Sequence, residues 1–279
     1  MTNKYGNIIK ICTFQSNVYI VFRNGNILDL SQPENTIDTG IGIFCLMNDK
    51  RQEILWVGTD GQGIRMFYDK PDLFGSILLK DLPINIQNPI RSLYTDNDRS
   101  LWFGTKGDGI VRIQAYDTYP NKKAIPQSAI THFTTADGLS SNRVYSFQRS
   151  EFHPCIWIGT EGYLFQYFPS TGQMKQTEAF HNNSIKSLAL DGNGDLLAGT
   201  DNGLYVYHND TTPLQHIIHD SRNIQSLTNN IIWNIFADQE HNIWLGTDYG
   251  ISLSRYNSAL QFIPISQITG TGDGNQFYS

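Results

Sequence analysis

Apolar and polar positions alternate along this chain in short runs broken by glycine, and one such run keeps returning. Leu55-Trp56-Val57-Gly58-Thr59-Asp60-Gly61-Gln62-Gly63-Ile64 recurs as Leu101-Trp102-Phe103-Gly104-Thr105-Lys106-Gly107-Asp108-Gly109-Ile110 and as Ile156-Trp157-Ile158-Gly159-Thr160-Glu161-Gly162. It returns as Leu197-Ala198-Gly199-Thr200-Asp201-Asn202-Gly203-Leu204 and as Ile243-Trp244-Leu245-Gly246-Thr247-Asp248-Tyr249-Gly250-Ile251. The alternating run before Gly-Thr is rich in β-formers, and the glycine cluster after it supplies the positive φ of a tight turn, so each copy predicts a β-hairpin. The small residue before Thr leaves room where a neighbouring backbone or bulky side chain comes close. Trp56, Trp102, Trp157 and Trp244 share one position, which predicts core wedges between neighbouring units.

A second recurring run precedes each hairpin: Asn88-Pro89-Ile90-Arg91-Ser92-Leu93, Asn142-Arg143-Val144-Tyr145-Ser146-Phe147, Asn183-Ser184-Ile185-Lys186-Ser187-Leu188 and Asn230-Ile231-Ile232-Trp233-Asn234-Ile235. Weaker copies begin at Asn7 and Ile41, and Asn275-Gln276-Phe277-Tyr278-Ser279 opens one more. These are short strands, linked to their hairpins by polar turns such as Asp96-Asn97-Asp98. A fourth strand closes each unit, as at Ile130–Thr134 and Leu214–Ile218. Four antiparallel strands in roughly 45 residues define a β-propeller blade. The expected architecture is all-β: a β-propeller of four-stranded blades with about six present, as part of a seven-bladed ring. A degenerate first blade spans about 7–40, with Phe22-Arg23 in place of Gly-Thr. Full blades follow at about 41–87, 88–141, 142–182, 183–229 and 230–274, and residues 275–279 start a further one. That ending suggests a piece of a longer chain.

Composition narrows the function classes. The chain has 279 residues and a net charge of -6, without the basic balance of a nucleic-acid binder. No apolar run is long enough to span a membrane, and the first residues lack the apolar core of a signal peptide. Cys12, Cys45 and Cys155 have no metal-ligand spacing and fall in or beside predicted strands, which points to buried free thiols. His132, His153, His181, His208, His216, His219 and His241 are scattered, with no two at an equivalent position. No Gly-x-Ser-x-Gly elbow or His-Glu-x-x-His is present. Asp191-Gly192-Asn193-Gly194-Asp195 spaces oxygen ligands as calcium loops do, but position 196 is Leu where such loops need Gly. No catalytic residue, metal or cofactor is expected.

The unit Ile-x-Ser-Leu-x-x-Asp-x-x-Gly-x-Leu-Trp-x-Gly-Thr-x-x-Gly-Leu resembles the two-component regulator propeller repeat. Ile90–Ile110 and Ile232–Ile251 carry it, and Asp137-Gly138-Leu139-Ser140-Ser141-Asn142 resembles the loop preceding the first strand in that family. The resemblance implies a periplasmic sensor region of an inner-membrane hybrid two-component system histidine kinase and response regulator. Such receptors carry tandem seven-bladed propellers, an immunoglobulin-like domain, one membrane crossing, then kinase, receiver and DNA-binding modules. They detect oligosaccharides and switch on transcription of glycan-use genes through a phosphorelay.

The residues that vary most among the first strands are Lys10, Phe44, Arg91, Tyr145, Lys186, Trp233 and Tyr278. Variation is tolerated where a side chain has no fixed neighbour. A set of aromatic and basic groups suits a sugar: aromatic faces stack on C–H surfaces, while Arg and Lys pair with hydroxyls, carboxylates or sulfates. Lys10, Phe44, Arg91, Tyr145, Lys186 and Trp233 are therefore the candidate ligand-binding residues. Turn residues Asp60, Gln62, Lys106, Asp108, Tyr163 and Tyr249 are secondary candidates. The alternatives are a scaffold meeting a second propeller or a homodimer partner and, less favoured, a propeller hydrolase or lyase.

Overall fold

The computed structural model describes residues 7–14, 17–34, 36–67, 74–119, 124–177, 183–208, 212–256 and 258–265. Its strands form six four-stranded antiparallel sheets, each from one consecutive stretch of chain and each ordered in space as in sequence. The first holds β1 (Ile8–Phe14), β2 (Asn17–Phe22), β3 (Asn26–Asp29) and β4 (Ile37–Asp38). The second holds β5 (Ile43–Asp49), β6 (Ile54–Thr59), β7 (Gly63–Phe67) and β8 (Phe74–Leu78). In the third are β9 (Ile90–Thr95), β10 (Ser100–Thr105), β11 (Ile110–Gln114) and β12 (Ile130–Phe133). The fourth comprises β13 (Val144–Arg149), β14 (Ile156–Thr160), β15 (Leu164–Phe168) and β16 (Gln173–Gln176). The fifth has β17 (Ile185–Leu190), β18 (Leu196–Thr200), β19 (Gly203–His208) and β20 (Thr212–Ile217). The sixth has β21 (Ile232–Ala237), β22 (Ile243–Thr247), β23 (Gly250–Ser254) and β24 (Ile263–Pro264). The fold is an all-β propeller of six four-stranded blades. Residues 275–279, read as the start of a further blade, lie outside the described residues. The chain divides into two compact units, one running to Val144 and the other starting at Tyr145.

The Gly-Thr signature has a local cause. In each full blade the Thr hydroxyl donates across the hairpin: Thr59 to Gly63 O (2.6 Å), Thr105 to Gly109 O (3.0 Å) and Thr160 to Tyr163 O (2.8 Å). Thr200 reaches Gly203 O at 2.8 Å and Thr247 reaches Gly250 O at 2.9 Å. The turn needs left-handed backbone, and glycine supplies it, as at Gly63 (φ 116°) and Gly250 (φ 110°).

The preceding glycine is where one blade meets the next. In the first unit, a Cβ on Gly58 would lie 2.9 Å from Ile90 Cγ2, and one on Gly104 would lie 2.6 Å from Val144 Cγ1. In the second unit, Gly159 faces Ile185 O at 2.6 Å and Gly199 faces Ile232 Cγ2 at 2.7 Å. Each partner is the first residue of the following blade's first strand. Gly246 differs: among the described residues its nearest neighbours are atoms of Asn234 in its own sheet, 3.8 Å and more away. On that same blade, Phe236 is exposed and Trp244 is only half-buried.

Trp56, Trp102 and Trp157 are fully buried, as wedges should be. The indole nitrogen of Trp102 donates to Asp96 Oδ2 at 2.8 Å, and that of Trp244 to Asp238 Oδ2 at 2.8 Å. Both carboxylates sit six residues before their Trp. In the second blade the turn is one residue longer, and Asp49 Oδ2 instead accepts from the hydroxyls of Thr95 and Tyr116. Among the described residues Trp56 Nε1 is left buried without a hydrogen-bond acceptor, a penalty on the order of 1–3 kcal/mol. In the fifth blade Leu197 rather than Ala198 holds the Trp position, pairing with Ala189 as Trp102 pairs with Tyr94, and it is buried in one cluster with Ile232 and Ile243. From the same blade Tyr207 packs on Trp157, ring centroids 5.8 Å apart. Cys12, Cys45 and Cys155 are free thiols, Cys155 buried and the other two partly so.

Candidate functional site

The variable first-strand residues share a backbone feature. In β5, Ile43 pairs with Thr59 and Cys45 with Gly58, so Phe44 faces no partner residue. Arg91 in β9, Lys186 in β17 and Trp233 in β21 are skipped in the same way. Each is the extra residue of a β-bulge, the local kink that re-aims a side chain out of the sheet's alternation. A side chain freed from cross-strand packing can vary without disturbing the fold, which explains the pattern seen across the repeats.

The first blade departs from the expected alignment. Val21 pairs with Ile27 as Gly58 pairs with Ile64, so Val21-Phe22 rather than Phe22-Arg23 occupies the Gly-Thr position. Ile8 pairs with Phe22 and Lys10 with Val21, which leaves Ile9 as the bulged residue and Lys10 one place further along. The Lys10 ammonium donates to Leu46 O in the neighbouring blade at 3.1 Å, so it ties two blades together. In the same unit, the Arg23 guanidinium lies 5.0 Å over the Phe44 ring.

The second unit brings three candidates together. Lys186 Nζ lies 4.3 Å from the Trp233 ring centroid and 5.6 Å from that of Tyr145. The three belong to the first strands of consecutive blades. Trp233 is 49% exposed, and its indole N–H donates to Asp248 Oδ1 at 2.8 Å. A cation over an aromatic face is worth on the order of 0.5–2 kcal/mol, so the ammonium has a defined place between two rings. Tyr278 lies outside the described residues.

Several other candidates have structural partners. Asp108 accepts from Gln87 N (2.8 Å), Asn88 N (2.7 Å) and Asn88 Nδ2 (2.9 Å), holding the loop before β9. Asp191 Oδ1 accepts from Asn193 N (2.8 Å) and Asp195 N (2.9 Å), and Asp195 bonds His208 at 2.7 Å, so these carboxylates close their own turn. Among the described residues no cluster of three or more His, Cys, Asp or Glu is placed to hold a metal ion. His216 stacks on Tyr205 at 4.0 Å, and His241 packs against Tyr256 at 5.2 Å. His181 lies outside the described residues.

Fold and repeat together define the class: this is a repeat-built propeller in which residues 86–107 and 226–249 match the two component regulator propeller family. Over 99% of its length the chain is 52% identical to the extracellular domain of BT4673, a one-component or hybrid two-component system of B. thetaiotaomicron, with a TM-score of 0.71. It is 30% identical over 190 residues to Histidine kinase P4 of Formosa agariphila. The extracellular domain of the hybrid two-component system BT3049 shares the fold, with a TM-score of 0.65 at 20% identity. The chain spans 36% of the BT4673 chain and 13% of Histidine kinase P4. It is thus akin to the extracellular part of hybrid two-component sensors, and among its described residues no helix is long and apolar enough to cross a membrane.

Proposed function

We propose that this propeller is the periplasmic ligand-reading part of a hybrid two-component sensor histidine kinase, and that it binds an oligosaccharide through the bulged residues of its first strands. Binding regulates genes for glycan use through kinase, receiver and DNA-binding modules elsewhere in the parent protein. The observation that carries this is the shared bulge at Phe44, Arg91, Lys186 and Trp233. Bulges concentrate beside functional sites because they re-aim side chains. Here they do so at the positions where aromatic and basic types replace one another, and one of those aromatics is an exposed tryptophan. An exposed indole beside an ammonium is a surface suited to being covered by a ligand or partner. Within the second unit Lys186 and Trp233 supply the two chemistries a sugar needs, a charged hydrogen-bond donor and a flat apolar face.

The test is a panel of immobilised neutral and acidic oligosaccharides probed with the wild-type propeller and with a Trp233→Ala, Arg91→Ala double variant. The expected result is saturable binding by the wild type and its loss in the variant, with the thermal melt retained. Equal binding by both proteins would move the site elsewhere. A propeller that binds no saccharide but associates with itself in ultracentrifugation would support the scaffold alternative. Turnover on the same panel would support an enzyme.

A further inference from the structure

Resting on the ligand-reading role just proposed, we infer that the second unit holds an anion subsite at Lys186, and that the saccharide it takes carries a carboxylate or sulfate. An ammonium has three hydrogen-bond donors and no acceptor. Lys186 Nζ has its two ring neighbours, Trp233 at 4.3 Å and Tyr145 at 5.6 Å. Ring faces attract the cation but accept none of its N–H bonds in the way an oxygen does. Among the described residues no carboxylate lies within 4.0 Å of this nitrogen, and no protein oxygen accepts from it. Lys10 is the contrast: its ammonium is already bonded to Leu46 O.

The nearby acid is accounted for. Asp248 directs Oδ1 to the indole N–H of Trp233 at 2.8 Å, which fixes the plane of the ring beneath the ammonium. Lys186 is half-buried between two aromatic groups, so its charge is less screened than that of a lysine in open water. The overall charge of -6 is no obstacle, because charges beyond about 10 Å are largely screened at ordinary ionic strength. An anionic oxygen bonded to this ammonium gains a charge-assisted contact worth roughly 1.5–3 kcal/mol, about 10- to 150-fold in affinity. A neutral hydroxyl gains less. The exposed part of Trp233 beside it offers the flat face on which the same sugar ring packs.

The experiment follows intrinsic tryptophan fluorescence during titration with sodium glucuronate, sodium sulfate and glucose at matched ionic strength. Trp233→Phe identifies the signal of that ring. Expected are saturable changes with glucuronate and sulfate, none with glucose, loss of both in Lys186→Met and retention in Lys186→Arg. Equal responses to glucose and glucuronate would overturn the charge preference while leaving the saccharide reading intact. A response to sulfate alone would overturn the saccharide class at this subsite. No response to either anion, or an unchanged response in Lys186→Met, would overturn the subsite itself. A clear anion response from a propeller that binds nothing on the oligosaccharide panel would instead remove the glycan role and keep the anion site.

Discussion

The same substitution, glycine to alanine, should have opposite outcomes at two equivalent positions of the second unit. At Gly159 the added Cβ would lie 2.4 Å from Ser146 Oγ and 2.6 Å from Ile185 O. The hydroxyl can rotate away. The carbonyl cannot, because it belongs to the first residue of β17, whose position is set by its own sheet. The gap is at least about 0.8 Å short of ordinary contact, so neighbouring blades must separate or tilt. Overpacking of this kind costs roughly 1–3 kcal/mol, equivalent to a fall in melting temperature of about 2–10 °C for a protein of this size. At Gly246 the Cβ would meet nothing closer than Asn234 Cβ at 3.8 Å among the described residues. Neither glycine has left-handed backbone, so alanine adds no strain there. Gly246→Ala should be neutral, or stabilising by about 0.4–1 kcal/mol through the less flexible unfolded chain. Thermal melts and urea titrations of the two variants measure the difference. Equal effects would refute the idea that the glycine before Thr exists to admit the next blade.

Three further outcomes follow from the packing and the titratable groups. Asp96→Ala removes the acceptor for Trp102 Nε1, Ser100 N and Asp98 N, and two of those donors are buried, so stability should fall by about 2–5 kcal/mol in urea titration. Asp238→Ala should cost less, because Trp244 is partly exposed and water can replace the carboxylate. Burial, and then the charge of Asp49, pushes the Tyr116 phenol up to about 12. The unfolded phenol ionises near pH 10, so above that pH the unfolded state releases the proton first and stability declines toward pH 12. Tyr116→Phe should decline less steeply between those values when unfolding is followed by circular dichroism.

Much of this fold was legible in the chain because its signals are local. Gly-Thr turns, alternating strands and the shared Trp position each depend on residues a few places apart, and their repetition made the blade evident. The bulge was not legible in this way. Nothing in Ile185-Lys186-Ser187 says which residue is skipped, since that is decided by pairing with Gly199 and Thr200. Variation at Lys186 and Trp233 was its only trace. The first blade shows the cost of lacking the signature: without Gly-Thr the alignment slipped by one, and Lys10 took the place that belongs to Ile9. The Asp–Trp bond at Asp96 and Asp238 was available as a six-residue spacing, and the longer turn at Asp49 foretells the unpartnered indole of Trp56. That Lys186 would rest between Tyr145 and Trp233 follows from their equivalent places in consecutive blades, once the blades are known to be neighbours.

The proposed role turns on which end of the sixth blade meets the ligand. Trp233 lies near the hairpin end of that sheet, while Tyr256, also exposed, follows β23 beside His241 at the opposite end. Calorimetric titration with the tightest-binding oligosaccharide of the panel should give an affinity at least about tenfold weaker for Trp233→Ala and unchanged for Tyr256→Ala. Unchanged affinity in Trp233→Ala with loss in Tyr256→Ala would contradict a binding site at the bulged first-strand residues.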